Sequence, residues 1–189
     1  AELHRHIGAD VDVPAGDIGV GGREVGYMFG MYKKLEGEFS SVLTGKGIHS
    51  GGSLIRPEAT GYGTVYFAED MLKRRNESLE GMRVVISGSG NVAQYAAQKA
   101  MHLGARVVAL SDSGGTVHMP EGLSDEGWLA LVDLKEVRRG RISDFAREQG
   151  YEYLEGKRPW HIPCEIALPC ATQNELDQKD ARELVKNGC

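Results

Sequence analysis

The clearest chemical signal in the sequence is a run of small residues, GSGNVA, at positions 88–93. It fits the G-x-G-x-x-A pattern of dinucleotide-binding turns. In such a turn Gly88 permits a tight bend, Gly90 lets the backbone approach a pyrophosphate, and Ala93 permits close packing of helix on strand. The N–H groups and positive dipole end of the next helix would face the phosphates. An ordinary strand–helix turn without a cofactor is the alternative, but the position of the run between a predicted strand and a predicted helix favours a nucleotide.

An acidic residue lies where the adenosine ribose of such a cofactor is expected. Asp112 follows Gly88 by 24 residues, close to the ~20-residue spacing of an acid that binds the ribose 2′-hydroxyl. This spacing on its own favours NAD. The hydroxyls of Ser111 and Ser113 could instead receive a 2′-phosphate if a basic side chain lies nearby, so the residues alone leave NAD and NADP open. The basic run at 135–141 is interpreted as a solvated helix end, where cations are favourable.

A second candidate for chemistry is Asp17, which follows Pro14, Ala15 and Gly16 in a glycine-dense loop. A carboxylate shielded from water there could move protons during a reaction. An aspartate beside glycine more often hydrogen-bonds its own backbone in a turn. Residue chemistry alone favours this structural interpretation.

No metal site is predicted. His4 and His6 are two residues apart and would point to different sides of a helix, and His161 with Cys164 lacks a second pair of ligands. The cysteines are odd in number and form no C-x-x-C pair, which predicts reduced thiols in a cytoplasmic protein: Cys164, Cys170 and Cys189.

The elements that must position these residues alternate between strands and helices from residue 82 onward. Buried-type apolar runs predict strands at 82–87, 106–110, 116–118, 151–154 and 165–168. Helical periodicity and capping residues predict helices at 23–35, 64–75 and 91–103, with Pro57 at a first helical position and further helices capped by Ser124, Ser143 and Asp177. The alternation predicts an α/β protein with a Rossmann-like, doubly wound sheet of parallel strands.

Composition excludes several classes of protein. The chain has 189 residues, of which 41% are hydrophobic, and its 22 Lys and Arg against 27 Asp and Glu give a net charge of −5. A core of this size argues against disorder, and a mildly acidic chain argues against nucleic acid as a partner. No apolar run approaches the ~18 residues of a membrane span, so no membrane partner is expected. The chain lacks an initial Met and stops directly after a predicted helix, which predicts a piece of a longer protein.

Five segments in order carry a resemblance to a known family. They are DVPAGDIGVGGRE at 12–24, LTGKG at 43–47, GGSLIRPEATGYG at 51–63, ISGSGNVAQY at 86–95 and LPCATQNELD at 168–177. The chain resembles the central part of hexameric glutamate dehydrogenases of the NADP-linked bacterial and lower-eukaryotic kind. The resemblance covers essentially the whole chain, and five matches in order are highly specific.

The resemblance implies a reaction and its residues. The reaction is the reversible oxidative deamination of L-glutamate to 2-oxoglutarate and ammonium, part of ammonium assimilation, in a cytoplasmic homo-oligomer that is a hexamer. NADP is the implied cofactor, with NAD less favoured. Asp17 becomes the catalytic aspartate, against the structural interpretation above, and Ala15 and Gly16 contact substrate. Cofactor contacts are implied at Thr60, Ser87, Gly88, Ser89, Gly90, Asn91, Val92, Ser111, Asp112, Ala171, Thr172 and Gln173.

The same resemblance implies two truncated domains. Residues 1–50 would be the C-terminal remnant of an α/β substrate-binding and oligomerisation domain, and residues 51–189 a dinucleotide-binding domain cut at its C terminus. The family's substrate and catalytic lysines lie upstream of residue 1 and a substrate serine lies downstream of Cys189, so this piece alone is expected to be inactive. Two alternatives stay open: a sister dehydrogenase acting on leucine, valine or phenylalanine, and a nucleotide-binding module without catalysis.

Overall fold

The computed structural model describes residues 1–54 and 56–189. Ile55, which belongs to the third of the five resemblance segments, lies outside the described residues. Contacts divide the chain into two compact units, Ala1–Arg56 and Pro57–Cys189. This division falls six residues after the boundary predicted at residue 50, and the assignment of each part to a functional domain stays a prediction.

The first unit is built around one long helix, α1 (Gly22–Glu36), with short 3-10 turns at Glu2–His6 and Ile48–Ser50. The helix begins where the Glu24 carboxylate accepts a hydrogen bond from the Gly21 N–H at 2.9 Å, and this bond together with the Arg23 side chain lowers the pKa of Glu24 to about 2. It ends at Gly37, whose φ of 74° favours glycine. Its buried face packs with Leu43 and presents Val25 and Phe29. The helix predicted at 23–35 is confirmed.

The second unit holds a five-stranded sheet in the order β4-β3-β2-β1-β5. The strands are β1 (Arg83–Ser87), β2 (Arg106–Asp112), β3 (Gly115–His118), β4 (Glu152–Glu155) and β5 (Ile166–Pro169). Strand β1 pairs in parallel with β2 and β5, as predicted. The prediction of parallel strands is wrong for β3, which runs antiparallel to β2 and β4. Only residues 113–114 connect β2 to β3, and a parallel crossover needs a dozen residues or more.

Helices and turns complete the second unit. They are α2 (Ala59–Lys73), α3 (Asn91–His102), α4 (Asp125–Val132) with a π-helical continuation (Asp133–Arg138), α5 (Ile142–Gln149), a 3-10 turn (Pro159–His161) and α6 (Gln178–Lys186). The capping roles of Ser124 and Asp177 are confirmed, since each side chain accepts a backbone N–H. The cap predicted at Ser143 is wrong. Helix α5 begins two residues earlier than such a cap implies, because the Asp144 carboxylate accepts the N–H of the actual cap, Arg141, at 3.0 Å.

Both faces of the sheet are covered, which explains the continuous apolar strands. Val84 and Ile86 of β1 face one core with α2 and α3, while Val85 faces a second core with Trp160 and Leu184. Helix α3 meets the sheet through fully buried alanines, which permit a close approach: Ala93, Ala96, Ala97 and Ala100. A doubly wound α/β fold is therefore confirmed for this unit. No helix of the described residues is long and apolar enough to cross a membrane.

Candidate dinucleotide site and the Asp17 loop

The two glycines of the 88–93 run differ in their surroundings. Gly88 has a φ of +87°, and a Cβ there would lie 3.0 Å from the Cys170 carbonyl oxygen and 3.3 Å from Cα of Ala171. The backbone of the loop after β5 therefore leaves no room for a side chain at position 88. A Cβ on Gly90 would meet nothing within 4 Å. Space is thus left beside Gly90 at the start of α3, as the approach of a pyrophosphate requires.

Two buried serines hydrogen-bond the backbone at Gly88 and Cys170. The Ser111 hydroxyl at the end of β2 accepts the Gly88 N–H at 3.1 Å, and the Ser111 N–H donates to the Gly88 carbonyl at 3.3 Å. The Ser87 hydroxyl accepts the Cys170 N–H at 2.9 Å. Ser87 and Ser111 are only 2% and 6% exposed. These hydroxyls therefore join the ends of β1, β2 and β5, and a cofactor role for either residue stays a prediction.

Other predicted cofactor residues surround the loop. Asn91 is exposed and Val92 half-buried in the first turn of α3, whereas Ser89 is 4% exposed. Thr60 is exposed at the beginning of α2, where its carbonyl accepts the Thr64 hydroxyl at 3.0 Å. Helix α2 lies against this turn through Gly61, whose Cβ would be 2.6 Å from the Val92 carbonyl oxygen.

The loop after β5 forms the third side of this region. Ala171, Thr172 and Gln173 are all exposed, and the Ala171 N–H donates to the Glu175 carboxylate at 3.1 Å. Burial raises the pKa of the neighbouring Cys170 thiol to about 12, so this thiol is neutral at physiological pH. The ends of β1 and β5 and the 88–93 turn therefore lie together, at the edge where α/β sheets bind ligands.

The carboxylate of Asp112 is already engaged by the backbone. It accepts the Gly114 N–H at 2.7 Å through Oδ1 and the Ile142 N–H, at the start of α5, at 3.2 Å through Oδ2. Arg141 lies beside it: its Nη1 is 4.0 Å from Asp112 Oδ2 and donates to the Ser113 hydroxyl at 3.1 Å. A basic side chain is thus present at the expected 2′-position. The interpretation of the 135–141 run as a helix end is wrong for Arg141, because it precedes a helix.

Two residues of this region were not identified from the sequence. Arg141 is 28 positions from its partner Ser113, and Gln94 donates to the Ser89 carbonyl from within α3. Helical periodicity places Gln94 beside apolar residues but does not show what its amide binds. The available signal in the sequence was the position of this glutamine, directly after the G-x-G-x-x-A run and on the buried face of the predicted helix.

Asp17 lies in the first unit, in the loop before α1. It is exposed, and its backbone carbonyl accepts the Val20 N–H at 2.8 Å. Gly16 is also exposed, and a Cβ on it would be 2.8 Å from the Val20 carbonyl oxygen, so this turn requires glycine. The Pro14 carbonyl accepts the Thr44 N–H at 3.0 Å. The 12–24 and 43–47 segments are thereby joined, and Ala15 is exposed between them.

The three cysteines are free in the structure. Cys164 is buried in the second core and Cys170 packs against the first, whereas Cys189 is exposed. Within the described residues no group of three or more His, Cys, Asp or Glu side chains could hold a metal ion.

The doubly wound fold and the glycine turn after β1 are typical of dinucleotide-binding α/β proteins, and comparison with known proteins shows the family. Residues 51–189 match the family model described as glutamate/leucine/phenylalanine/valine dehydrogenase. Residues 1–34 match the model for the dimerisation domain of the same dehydrogenases. The chain belongs to the glutamate/leucine/phenylalanine/valine dehydrogenase family.

Individual relatives are glutamate dehydrogenases. The NADP-specific glutamate dehydrogenase of Escherichia coli is 62% identical over 187 residues, which cover 99% of this chain and 42% of that protein. A crystal structure of Plasmodium falciparum glutamate dehydrogenase is 51% identical with a TM-score of 0.86, covering 100% of this chain and 40% of that one. Hetero-hexameric glutamate dehydrogenase from Thermus thermophilus is 31% identical with a TM-score of 0.74, covering 97% and 42%. The resemblance inferred from the five segments is confirmed, and the chain spans about two fifths of these relatives' length.

Proposed function

We propose that the whole protein containing this chain catalyses the reversible oxidative deamination of L-glutamate to 2-oxoglutarate and ammonium with NADP(H). The observation that carries the proposal is the turn at 88–93, where Gly88 is required by the backbone and Gly90 leaves open space at the start of α3. The identity of 62% to an NADP-specific glutamate dehydrogenase supports this choice of reaction. The hetero-hexameric Thermus thermophilus relative supports a hexameric assembly of the whole protein, and the free cysteines support a cytoplasmic location.

The residues around the turn fit the cofactor. The N–H groups at the start of α3, where the helix dipole favours negative charge, would hold the pyrophosphate. The Ser113 hydroxyl and the Arg141 guanidinium would hold the 2′-phosphate of NADP. Both carboxylate oxygens of Asp112 accept backbone N–H groups, so Asp112 stabilises the turn after β2. Arg141 offsets its charge. Bound NADP would supply a hydride acceptor for the α-carbon of glutamate, and bound NADPH would supply the hydride for the reverse direction.

Asp17 is the proposed proton-transfer residue. Its carboxylate moves protons to and from the substrate nitrogen and the carbinolamine, while the backbone at Ala15 and Gly16 contacts the substrate. Gly16 keeps this turn narrow, since no side chain fits against the Val20 carbonyl. The chain spans 42% of the Escherichia coli relative, so turnover is proposed for the whole protein and not for this chain by itself.

The test uses the full-length protein and a panel of substrates. NADPH oxidation is followed with 2-oxoglutarate and ammonium, and the same assay is run with NADH and with branched-chain 2-oxo acids. We expect turnover that needs both ammonium and 2-oxoglutarate and is faster with NADPH. Activity only with a branched-chain acid would move the protein to a sister dehydrogenase. Turnover only with NADH would keep the reaction and reject the cofactor, and nucleotide binding without turnover would indicate a binding module.

A further inference from the structure

Gln94 is a polar side chain in a strongly apolar part of the molecule. It is 1% exposed and lies on the face of α3 that also presents Ala93, Ala96 and Ala97 to the core. A buried amide is unfavourable unless its polar atoms are hydrogen-bonded. The contacts of Gln94 therefore indicate what this residue is for.

Both N–H bonds of the Gln94 amide have an acceptor. Nε2 donates to the Ser89 carbonyl oxygen at 3.0 Å and to Glu136 Oε1 at 3.2 Å. The backbone around Gln94 is held as well, because Trp128 Nε1 donates to the Gln94 carbonyl at 2.7 Å. Glu136 belongs to the π-helical turn after α4, so a second element fixes the amide in its orientation.

The acceptor at Ser89 belongs to the peptide that leads into Gly90. In a planar trans peptide the C=O and the N–H point in opposite directions. Since Gln94 holds the Ser89 C=O toward the protein interior, the Gly90 N–H points outward, where Gly90 is exposed. Within the described part of the chain this N–H has no hydrogen-bond acceptor. A Cβ on Gly90 would meet nothing within 4 Å, so the protein also leaves open space beside this residue.

We propose that Gln94 is a positioning residue for the cofactor pyrophosphate, acting through the Ser89 carbonyl to orient the Gly90 N–H. The inference rests on the proposed function, because it assumes that a dinucleotide binds at this turn. Loss of the amide would leave the Ser89 carbonyl without its buried partner and free the peptide to rotate. The Gly90 donor would then be misdirected for part of the time. NAD and NADP share the pyrophosphate, so both cofactors should be affected equally.

The experiment compares two glutamines on one helix of the full-length protein. Gln94→Met keeps side-chain length and removes both donated bonds. Gln98→Met is the matched control, because Gln98 lies one turn further along α3 and accepts the Tyr62 hydroxyl at 2.8 Å, away from the turn. We expect Gln94→Met to raise the Kd of both NADPH and NADH by about tenfold, equivalent to ~1.4 kcal/mol. The ratio of the two Kd values and kcat at saturating cofactor should stay within about twofold of wild type, and Gln98→Met should bind both cofactors normally.

Several outcomes would overturn the inference. Normal affinity in Gln94→Met would do so, as would an equal loss in Gln98→Met, which would indicate general destabilisation of α3. A loss confined to NADPH would assign the effect to the 2′-phosphate. If Gln94→Met does not fold, Glu136→Ala replaces it in the test. The inference predicts that Glu136→Ala raises the Kd of both cofactors by about threefold, and an unchanged Kd would reject it. Wild-type protein that binds neither cofactor would reject the proposed function instead.

Discussion

Gly61 is the position where a single added methyl group should disturb both stability and cofactor binding. It lies in α2, and its Cβ would be 2.6 Å from the Ala96 N and the Val92 carbonyl oxygen, and 2.8 Å from Cβ of Tyr95. Two of these atoms are backbone atoms of α3, so no rotamer change can make room. To restore an ordinary contact of 3.4 Å, the helices must separate by roughly 3.4 − 2.6 = 0.8 Å. This separation costs packing energy between α2 and α3.

Gly61→Ala should therefore destabilise the full-length protein despite the better helix propensity of alanine. Overpacking typically costs about 1–3 kcal/mol, and replacing a helical glycine returns about 1 kcal/mol, which leaves a net loss of about 0–2 kcal/mol. Because Val92 lies in the first turn of α3, the displacement should also weaken NADPH binding by about tenfold. Thermal unfolding and a fluorescence titration with NADPH measure the two effects.

Gly63→Ala is the matched control on the same helix. Gly63 is exposed, and a Cβ on it would meet nothing within 4 Å. This variant should gain about 0.5–1 kcal/mol from helix propensity and bind NADPH normally. The reasoning is refuted if Gly61→Ala unfolds at the same temperature as Gly63→Ala, or if both bind NADPH alike.

Three further predictions concern cofactor choice, helix capping and pH. Arg141→Ala should weaken NADPH binding by about tenfold and leave NADH binding unchanged in parallel titrations, because only NADPH carries a 2′-phosphate; equal losses would contradict the proposed role. Ser124→Ala should destabilise the protein by ~1 kcal/mol in thermal unfolding, whereas Ser143→Ala should be nearly neutral, since only Ser124 caps a helix. The hydrogen bonds of Arg83 lower the pKa of Glu165, so their stabilisation is present above the unfolded-state pKa and lost as the pH falls through the folded-state value. Glu165→Gln should accordingly lower the unfolding temperature at neutral pH and flatten its fall in acid, and an unchanged profile would contradict this.

The turn after β1 could be predicted from the sequence because several local signals agree. An apolar run of strand length precedes it, the glycine pattern defines it, and a stripe of alanines at helical spacing follows. The beginning of α2 could not be predicted in this way. Its first turns contain Gly61 and Gly63, which lower helix propensity, and packing against α3 overrides that preference. The helix consequently begins at Ala59, five residues before the predicted start, and Pro57 precedes it.

The limits of prediction at the site have a similar physical origin. The spacing of Asp112 indicated an acid facing a ribose, but its carboxylate is engaged by the N–H groups of Gly114 and Ile142. The second of these partners is 30 residues away, and only the fold brings it close. The same holds for Gln94, whose contact with Glu136 spans 42 residues. Residue types and spacing therefore locate the site, while long-range hydrogen bonds decide what each side chain can do.

The most direct test of the account is the effect of removing the Asp17 carboxylate from the full-length protein. Asp17→Asn is compared with Asp10→Asn, which changes another exposed aspartate in the same part of the chain. We predict that Asp17→Asn loses ammonium-dependent oxidation of NADPH by 2-oxoglutarate by a factor of at least about 10³, while binding NADPH with the wild-type Kd. Asp10→Asn should keep its activity. Substantial turnover in Asp17→Asn, or an equal loss in Asp10→Asn, would contradict the assignment of proton transfer to Asp17.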